Sequence, residues 1–303
     1  MKISVIGAFG DIGAAITFCL MQRALAHEIA MTDINCVLST QKFSDMQAAA
    51  YLCQTIITHG DYETLTGSQI VIIAPGAHDN TLQTRMDAVL DAARAVSRYC
   101  PLATVIQVCE PLEPLSYALQ NEAGLRPGQV LGYSLNDTLR FKQLLSGHFA
   151  LNVRDMLNAV VMGEYGQTRV PVFDYVYVNG RKINIDEETR RQIEDGYQAA
   201  LTEQEYWQQT TGYVSPWHTA LGVSDMTAAL GAPKPVPFVC STYLKGPYGY
   251  HDVFCSVPVK LGLGLLQEIT PLVLSPATKT RLDYSVETIR RQTAAALNPA
   301  GAD

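Results

Sequence analysis

Long apolar runs, paired cysteines and clusters of basic residues are all missing from this 303-residue chain. No hydrophobic stretch reaches the roughly 20 residues that a membrane-spanning helix needs, so a helical bilayer protein is excluded and a cytoplasmic location is expected. Met1 runs straight into the apolar stretch Ile3-Ser4-Val5-Ile6, and no signal peptide is expected ahead of it. Cys19, Cys36, Cys53, Cys100, Cys109, Cys240 and Cys255 are odd in number and scattered, with no Cys-x-x-Cys pair. Free thiols in a reducing compartment fit that distribution better than disulfides or zinc. No grouping of His, Cys, Asp and Glu has metal spacing, so no metal is expected. Lys and Arg total 22 against 29 Asp and Glu, a net charge of −7, which disfavours nucleic acid and anionic membranes as partners. Repeats of fixed period and low-complexity segments are also absent.

What remains is the composition of an ordinary globular enzyme, 48% hydrophobic and 17% charged, long enough for one large or two average domains. Residues 2–6, 28–33, 69–74 and 104–108 are short, nearly continuous apolar runs, the pattern of parallel strands buried on both faces. Helical stretches at 11–26 and 40–51 alternate with them. This predicts an α/β fold with a doubly wound parallel sheet over residues 1–134. Beyond residue 135 the pattern becomes α+β. Strands are expected at 158–162, 170–178, 239–244 and 253–260, and helices at 186–210, 215–229 and 276–297. The turn Gly246-Pro247-Tyr248-Gly249 makes the last two strands antiparallel. The second domain therefore spans 135–303.

Gly7-Ala8-Phe9-Gly10-Asp11-Ile12-Gly13 follows the first strand and opens the first helix. Glycines so spaced allow a tight turn, close approach of a pyrophosphate and close helix–strand packing, and the helix N-terminus offers free N–H groups to the phosphates. Alone, such a triplet also describes an ordinary strand–helix turn. Asp33 ends the second strand about 20 residues later, where a carboxylate accepts hydrogen bonds from ribose hydroxyls and repels a 2′-phosphate. NAD, rather than NADP, is the expected cofactor.

Met162-Gly163-Glu164-Tyr165-Gly166-Gln167-Thr168 resembles the Gly-Glu-His-Gly-Asp-Ser signature of the lactate/malate dehydrogenase family. The glycine turn is similar to the malate dehydrogenase form of the dinucleotide fingerprint. Ala74-Pro75-Gly76-Ala77 resembles the family's Thr-Ala-Gly-Val beside the cofactor, and residues 78–85 match its mobile loop in length. Val108-Cys109-Glu110-Pro111 resembles its Asn-Pro segment, and Asn136-Asp137-Thr138-Leu139-Arg140-Phe141 its Leu-Asp-x-x-Arg-Phe. The resemblance implies a Rossmann domain followed by the family's α+β C-terminal domain, and pairing into a homodimer or homotetramer. It implies NAD held by Gly7, Phe9, Gly10, Asp11, Ile12, Gly13, Asp33, Ala74, Pro75, Gly76 and Val108, and a small carboxylate substrate. In the family, Arg140's counterpart clamps the substrate carboxylate, Asp137's orients the catalytic histidine, Arg85's polarises the substrate oxygen, and Ser215's lines the pocket.

Four departures mark the expected site. Tyr165 stands in place of the histidine; a tyrosine, with a reference pKa of about 10 against about 6.5 for histidine, can donate a proton to a developing alkoxide but is a poor base near neutral pH unless a nearby cation lowers its pKa. Glu110 replaces the family's asparagine and is expected to be protonated or to find a cation. It also offers a second acid–base group. Asp79 replaces the arginine that receives the distal carboxylate of oxaloacetate, which argues against malate and for a hydroxylated or cationic distal group. Gln167 and Thr168 replace Asp-Ser, a milder change. His78 and His218 are alternative proton carriers, and Cys109 beside Glu110 weakly resembles NAD- and metal-dependent glycosidases, without their cysteine–histidine pair. The expected function is an NAD-dependent dehydrogenase interconverting small 2-hydroxy and 2-oxo acids. Its catalytic set is Tyr165, Asp137, Arg140, Arg85 and Glu110, and its substrate contacts are Arg85, Arg140, Asp79 and Ser215. A catalytically altered NAD(H)-binding sensor or accessory protein is the alternative.

Overall fold

Apolar strands that alternate with helices have one economical way to bury both faces, and the chain adopts it. The computed structural model describes residues 1–33, 39–75, 81–152, 155, 157–212 and 214–298. β1 (Lys2–Ile6), β2 (Glu28–Thr32), β3 (Ile56–His59), β4 (Ile70–Ile73), β5 (Thr104–Gln107) and β6 (Val130–Gly132) lie in the order β3-β2-β1-β4-β5-β6, all parallel. The crossovers are α1 (Asp11–Gln22), α2 (Ser39–Ala50), a short 3₁₀ turn at Tyr62–Leu65, α3 (Leu82–Tyr99) and α4 (Leu112–Ala123). This is the doubly wound sheet expected from the sequence. β4 is wholly buried, as a strand sandwiched between helices must be.

After α5 (Leu135–His148) come five two-residue strands: β7 (Leu157–Asn158), β8 (Val161–Met162), β9 (Val170–Pro171), β10 (Tyr177–Val178) and β11 (Arg181–Lys182). Two long helices follow, α6 (Glu187–Thr211) and α7 (Trp217–Gly231), then β12 (Val236–Lys245), β13 (His251–Gly262), β14 (Leu265–Ile269) and the closing helix α8 (Pro276–Leu297). The late antiparallel strands form no separate sheet. β12 pairs with β6 through Ser241 and Gly132, Thr242 and Leu131, so one nine-stranded sheet runs β14-β13-β12-β6-β5-β4-β1-β2-β3 across both halves of the chain.

Three sequence expectations need correction. The first helix ends at Gln22 rather than 26, because Ala24 takes a positive φ of 49° and the Leu25 N–H turns back to the Leu20 carbonyl, a left-handed stop. The strands expected at 158–162 and 170–178 are each broken. β7 and β8 join different sheets. Pro171 can donate no ladder bond, and a 3₁₀ turn at Phe173–Tyr175 sets the Phe173 ring edge-on to Phe141 at 5.1 Å.

Three apolar clusters place the site. One lies where α1 and α7 meet the sheet, around Ile16, Val223 and Met226. The second fills the opposite face beneath α3 and α4, around Val89, Val96, Leu115 and Leu119. A smaller third joins Phe141, Leu145, Phe173, Ile193 and Tyr197. It fixes α5 against α6, so the first turns of α5 stand at the carboxyl ends of the parallel strands, the edge where such sheets bind ligands.

Candidate active site

The glycine turn closes on itself as a dinucleotide cradle requires. Gly7 has a φ of +79°, and a Cβ there would sit 2.4 Å from the Ala74 carbonyl oxygen; one on Gly13 would sit 2.0 Å from the Gly7 carbonyl oxygen. α1 starts at Asp11 with no side-chain cap, leaving its first N–H groups and its positive dipole end to a phosphate. Asp33 accepts the Phe9 N–H at 3.0 Å, and Lys42 donates to the Phe9 carbonyl at 2.5 Å. Phe9 contributes backbone only: its ring is buried edge-on against His59, 5.0 Å away. Gly10 and Asp11 complete the turn, Ala74 and Pro75 back it, and Ile12 and Val108 line the adjoining cleft. The turn fits a bound dinucleotide. Gly76, His78 and Asp79 lie outside the described residues, as does Cys36.

A cleft of about 210 Å³ opens beside this turn, and Glu110, Asp137, Arg140, Tyr165 and Ser215 all line it. Arg85 belongs to the first turn of α3 and not to a loop; its Nε donates to the Thr81 carbonyl at 3.3 Å. The segment expected to be a loop through residue 85 is already helical from Leu82.

Tyr165 and Asp137 share the cleft but not a hydrogen bond. The Tyr165 hydroxyl oxygen accepts an amide hydrogen from Asn136 at 3.0 Å. Asn136 gives its other amide hydrogen to Thr219 Oγ1 at 2.9 Å, and its carbonyl accepts from the Tyr133 hydroxyl at 2.8 Å. Every polar atom of this carboxamide is thus matched. Asp137 is engaged elsewhere. The Tyr197 hydroxyl donates to its Oδ1 at 2.8 Å, and Arg169 Nε lies 3.3 Å from its Oδ2, with the guanidinium 5.1 Å from the centre of the Tyr197 ring. The side chain that hydrogen-bonds the group at 165 is that of Asn136, while Asp137 bonds Tyr197.

Charge in the cleft is closely balanced. Burial pushes the Tyr165 hydroxyl well above the ordinary tyrosine range, and Glu110 and Asp137 push it further, against the hydrogen bond from Asn136. The crowded cleft walls raise the Glu110 carboxyl above the carboxylate range and Asp137 adds to this, while Arg85, Arg169 and Arg140 oppose both. Burial likewise raises Asp137, against the pull of Arg169. His218 is held below the usual histidine value by burial and by Arg140, so it is neutral at pH 7. Burial pushes the Cys109 thiol up to about 12, which removes it as a nucleophile.

Two buried carboxyl groups hold the segment that carries Tyr165. Both oxygens of Glu113, in the first turn of α4, accept the Tyr165 N–H, at 3.2 and 3.3 Å. Glu164 accepts the Thr168 N–H at 2.7 Å, the Thr168 hydroxyl, and the Gln292 amide of α8 at 2.6 Å. Its own N–H donates to Ser285 Oγ at 2.8 Å. Gly163 bridges Ser256 of β13 through both backbone bonds, each 3.0 Å. At its φ of +91° a Cβ would strike Ser285 Oγ at 2.5 Å, so glycine is required there.

Arg169, Asn136, Tyr197 and Glu113 were not foreseen as site residues. Arg169 left one signal, a cation directly after the signature and just before an apolar strand. Tyr197 left none, because with Ile193 it reads as the core stripe of a helix.

A Rossmann half, a dinucleotide cradle and an adjoining cleft lined by carboxyl groups, arginines and a tyrosine are the parts of an NAD-dependent dehydrogenase. Comparison with known proteins specifies which kind. The profile "lactate/malate dehydrogenase, NAD binding domain" matches residues 1–132, and "lactate/malate dehydrogenase, alpha/beta C-terminal domain" matches 135–298. The chain belongs to the lactate/malate dehydrogenase family, whose members are NAD-dependent oxidoreductases acting on CH–OH groups. It is 28% identical to L-lactate dehydrogenase 1 of Clostridium acetobutylicum over 95% of this chain and 96% of that one. It is equally identical to malate dehydrogenase of Chloroherpeton thalassium, over 96% of each. Among solved structures, malate dehydrogenase of Salinibacter ruber superposes with a TM-score of 0.88 at 28% identity, covering 99% of this chain and 98% of that one. Lactate dehydrogenase of Cryptosporidium parvum, complexed with lactic acid and nicotinamide adenine dinucleotide, gives 0.88 at 25% identity and 98% coverage of both. No helix among the described residues is long and apolar enough to cross a membrane.

Two predictions concern how the site is held. Glu113 is pushed up to about 8 by burial, from 4.5, so between those values the folded state keeps a proton that the unfolded chain releases. That contribution is complete in acid and is lost as pH rises from about 4.5 to about 8. Glu113→Gln removes it, so the variant's Tm should fall less than the parent's between pH 5 and 8; parallel melting curves would show that Glu113 does not titrate there. Arg169→Met leaves Asp137 without its cation and should cost about 3–5 kcal/mol of stability, much of it restored by adding Asp137→Asn. A double-mutant cycle by urea unfolding measures this, and additivity would mean the two residues are not coupled.

Proposed function

We propose that the protein reduces small 2-oxo acids to 2-hydroxy acids, with Tyr165 as the proton donor and Arg140 as the carboxylate anchor. Bound NADH supplies the hydride at its nicotinamide ring, and the chain supplies everything else. The observation that carries the reading is the hydrogen bond from Asn136 to the Tyr165 oxygen. Because that oxygen is already an acceptor, its own hydrogen is left to point into the cleft, toward a carbonyl oxygen becoming an alkoxide. The Asn136 amide then stabilises the tyrosinate left behind. Arg140 Nη2 now donates to Gln204 Oε1 at 2.5 Å; a substrate carboxylate would take that place in two parallel bonds and fix the reacting carbon beneath Tyr165. Arg85 and Arg169 offset the charge that develops, and Glu110, held toward its neutral form, is a second proton source.

A hydroxyl held well above the ordinary tyrosine range stays protonated near neutral pH, the form that the reducing direction requires of a proton donor. Oxaloacetate is disfavoured as substrate, because Asp79 stands where the family carries an arginine, and Glu205 adds a carboxylate to the cleft wall. Neither the geometry nor the comparisons supply support for the sensor alternative.

Tyr165→Phe should lower kcat for 2-oxo acid reduction by about 100-fold or more and leave NADH affinity, followed by its fluorescence, within about twofold. An unchanged kcat would remove Tyr165 from the chemistry. In the parent, reduction should stay flat through neutral and mildly alkaline pH, while oxidation of the 2-hydroxy acid climbs over the same range as tyrosinate becomes accessible. pH–rate profiles in both directions read this, and an inflection on the acid side of about pH 6.5 would instead assign the proton to His218, which burial and Arg140 hold below the usual histidine value.

A further inference from the structure

The far wall of the cleft is made for hydrogen bonding. Of the cleft residues supplied by α6 and by the segment entering α7, Leu201 and Val214 are the apolar ones; the others are Gln204, Glu205, Gln208, Ser215, His218 and Thr219. Gln204 and Gln208 are one helical turn apart and so share a face of α6. Across from them Gln167 donates to Glu205 at 3.3 Å. The cleft runs from Ile12 and Val108 beside the glycine turn to Gln208 on α6, so this wall lies beyond the cofactor side, where the substrate's chain would extend.

Resting on the reading of the cleft as a 2-oxo acid reductase, we propose that its substrate carries hydroxyl groups along the chain beyond the reacting carbon, as a sugar acid does, and that Gln204 and Gln208 bind them. An alkyl tail would bury these carboxamides without partners, and a site built to bond hydroxyls rejects the analogue lacking them. A second carboxylate would face Glu205. Hydroxyls alone match a wall that mixes amide donors with carboxylate and carbonyl acceptors. The Arg140–Gln204 bond gives the exchange its order: the substrate carboxylate displaces Gln204 Oε1 from the guanidinium, and the freed carboxamide turns to the chain behind it.

The test compares two six-carbon acids, 2-oxo-3-deoxygluconate and 2-oxohexanoate, with pyruvate and oxaloacetate beside them, by NADH oxidation with the full-length protein. The hydroxylated acid should have a kcat/KM at least about tenfold above its alkyl twin. Gln204→Leu and Gln208→Leu should bring that ratio toward one, with NADH binding and melting temperature confirming that each variant is folded. Equal or better turnover of 2-oxohexanoate, pyruvate or oxaloacetate would overturn the hydroxylated chain and leave 2-oxo acid reduction standing. Failure to turn over any of the four, with NADH bound, would overturn the reductase reading and this inference with it. If the variants do not fold, the ratio measured on the parent protein decides alone.

Discussion

Asp137 is a carboxyl group set in the buried first turn of α5, and the wiring of the site follows from the need to match it. A carboxylate there, without a cation and hydrogen bonds, would cost several kcal/mol. Arg169 and Tyr197 answer that need from two directions, one from the residue just before β9 and one from α6. Their engagement decides what Tyr165 can be. Had Tyr165 been the partner of Asp137, its hydroxyl would have donated to the carboxylate, and its one hydrogen would have pointed away from any substrate. With Asp137 already matched, Tyr165 accepts from Asn136 instead, and its hydrogen is free. The carboxylate that serves a histidine as orienting partner would silence a tyrosine. With that carboxylate held by Arg169 and Tyr197, the Tyr165 hydroxyl is not claimed by Asp137.

The same argument explains the density of charge around a neutral donor. Glu110 and Asp137 raise the Tyr165 hydroxyl and keep it protonated. Arg140, Arg169 and Arg85 stop those carboxyl groups from making the cleft anionic. Of the two arginines that line the cleft, Arg169 faces a carboxyl group, whereas the hydrogen-bond partner of Arg140 is the neutral carboxamide of Gln204.

Much of the fold was legible in the sequence because it rests on local patterns. Continuous apolar runs gave four of the six parallel strands, and glycine spacing with Asp33 gave the cradle. β6 escaped because it is three residues long, and β3 because Thr58 and His59 cut short its apolar run and its edge residue Ile56 is exposed. The joining of β12 to β6 escaped for another reason: pairing between residues more than a hundred positions apart leaves no local trace. At the site, the resemblance brought Tyr165, Asp137, Arg140, Glu110 and Ser215 to one cleft. Correspondence by position could not show that Asp137 had changed partner. That exchange depends on Arg169 and on Tyr197, 60 residues away from Asp137, and a pairing of side chains is a property of the folded chain.

Rigidity is distributed unevenly, and the distribution suits the chemistry. Behind Tyr165 the backbone is fixed by Glu113, by Glu164 and its contacts with α8, and by the bridge to β13. Proton transfer rewards such fixing, because a donor about 1 Å out of place forfeits much of its advantage. On the opposite wall the last turns of α6 are largely exposed, and Gln204, Glu205 and Gln208 are long side chains with little packed around them. Recognition of a substrate's chain tolerates such adjustment where proton donation does not. A mutation behind Tyr165 should therefore act on kcat with every substrate, and one on α6 on the choice among substrates. The two walls are built from different elements, α4, β13 and α8 behind Tyr165 and α6 opposite.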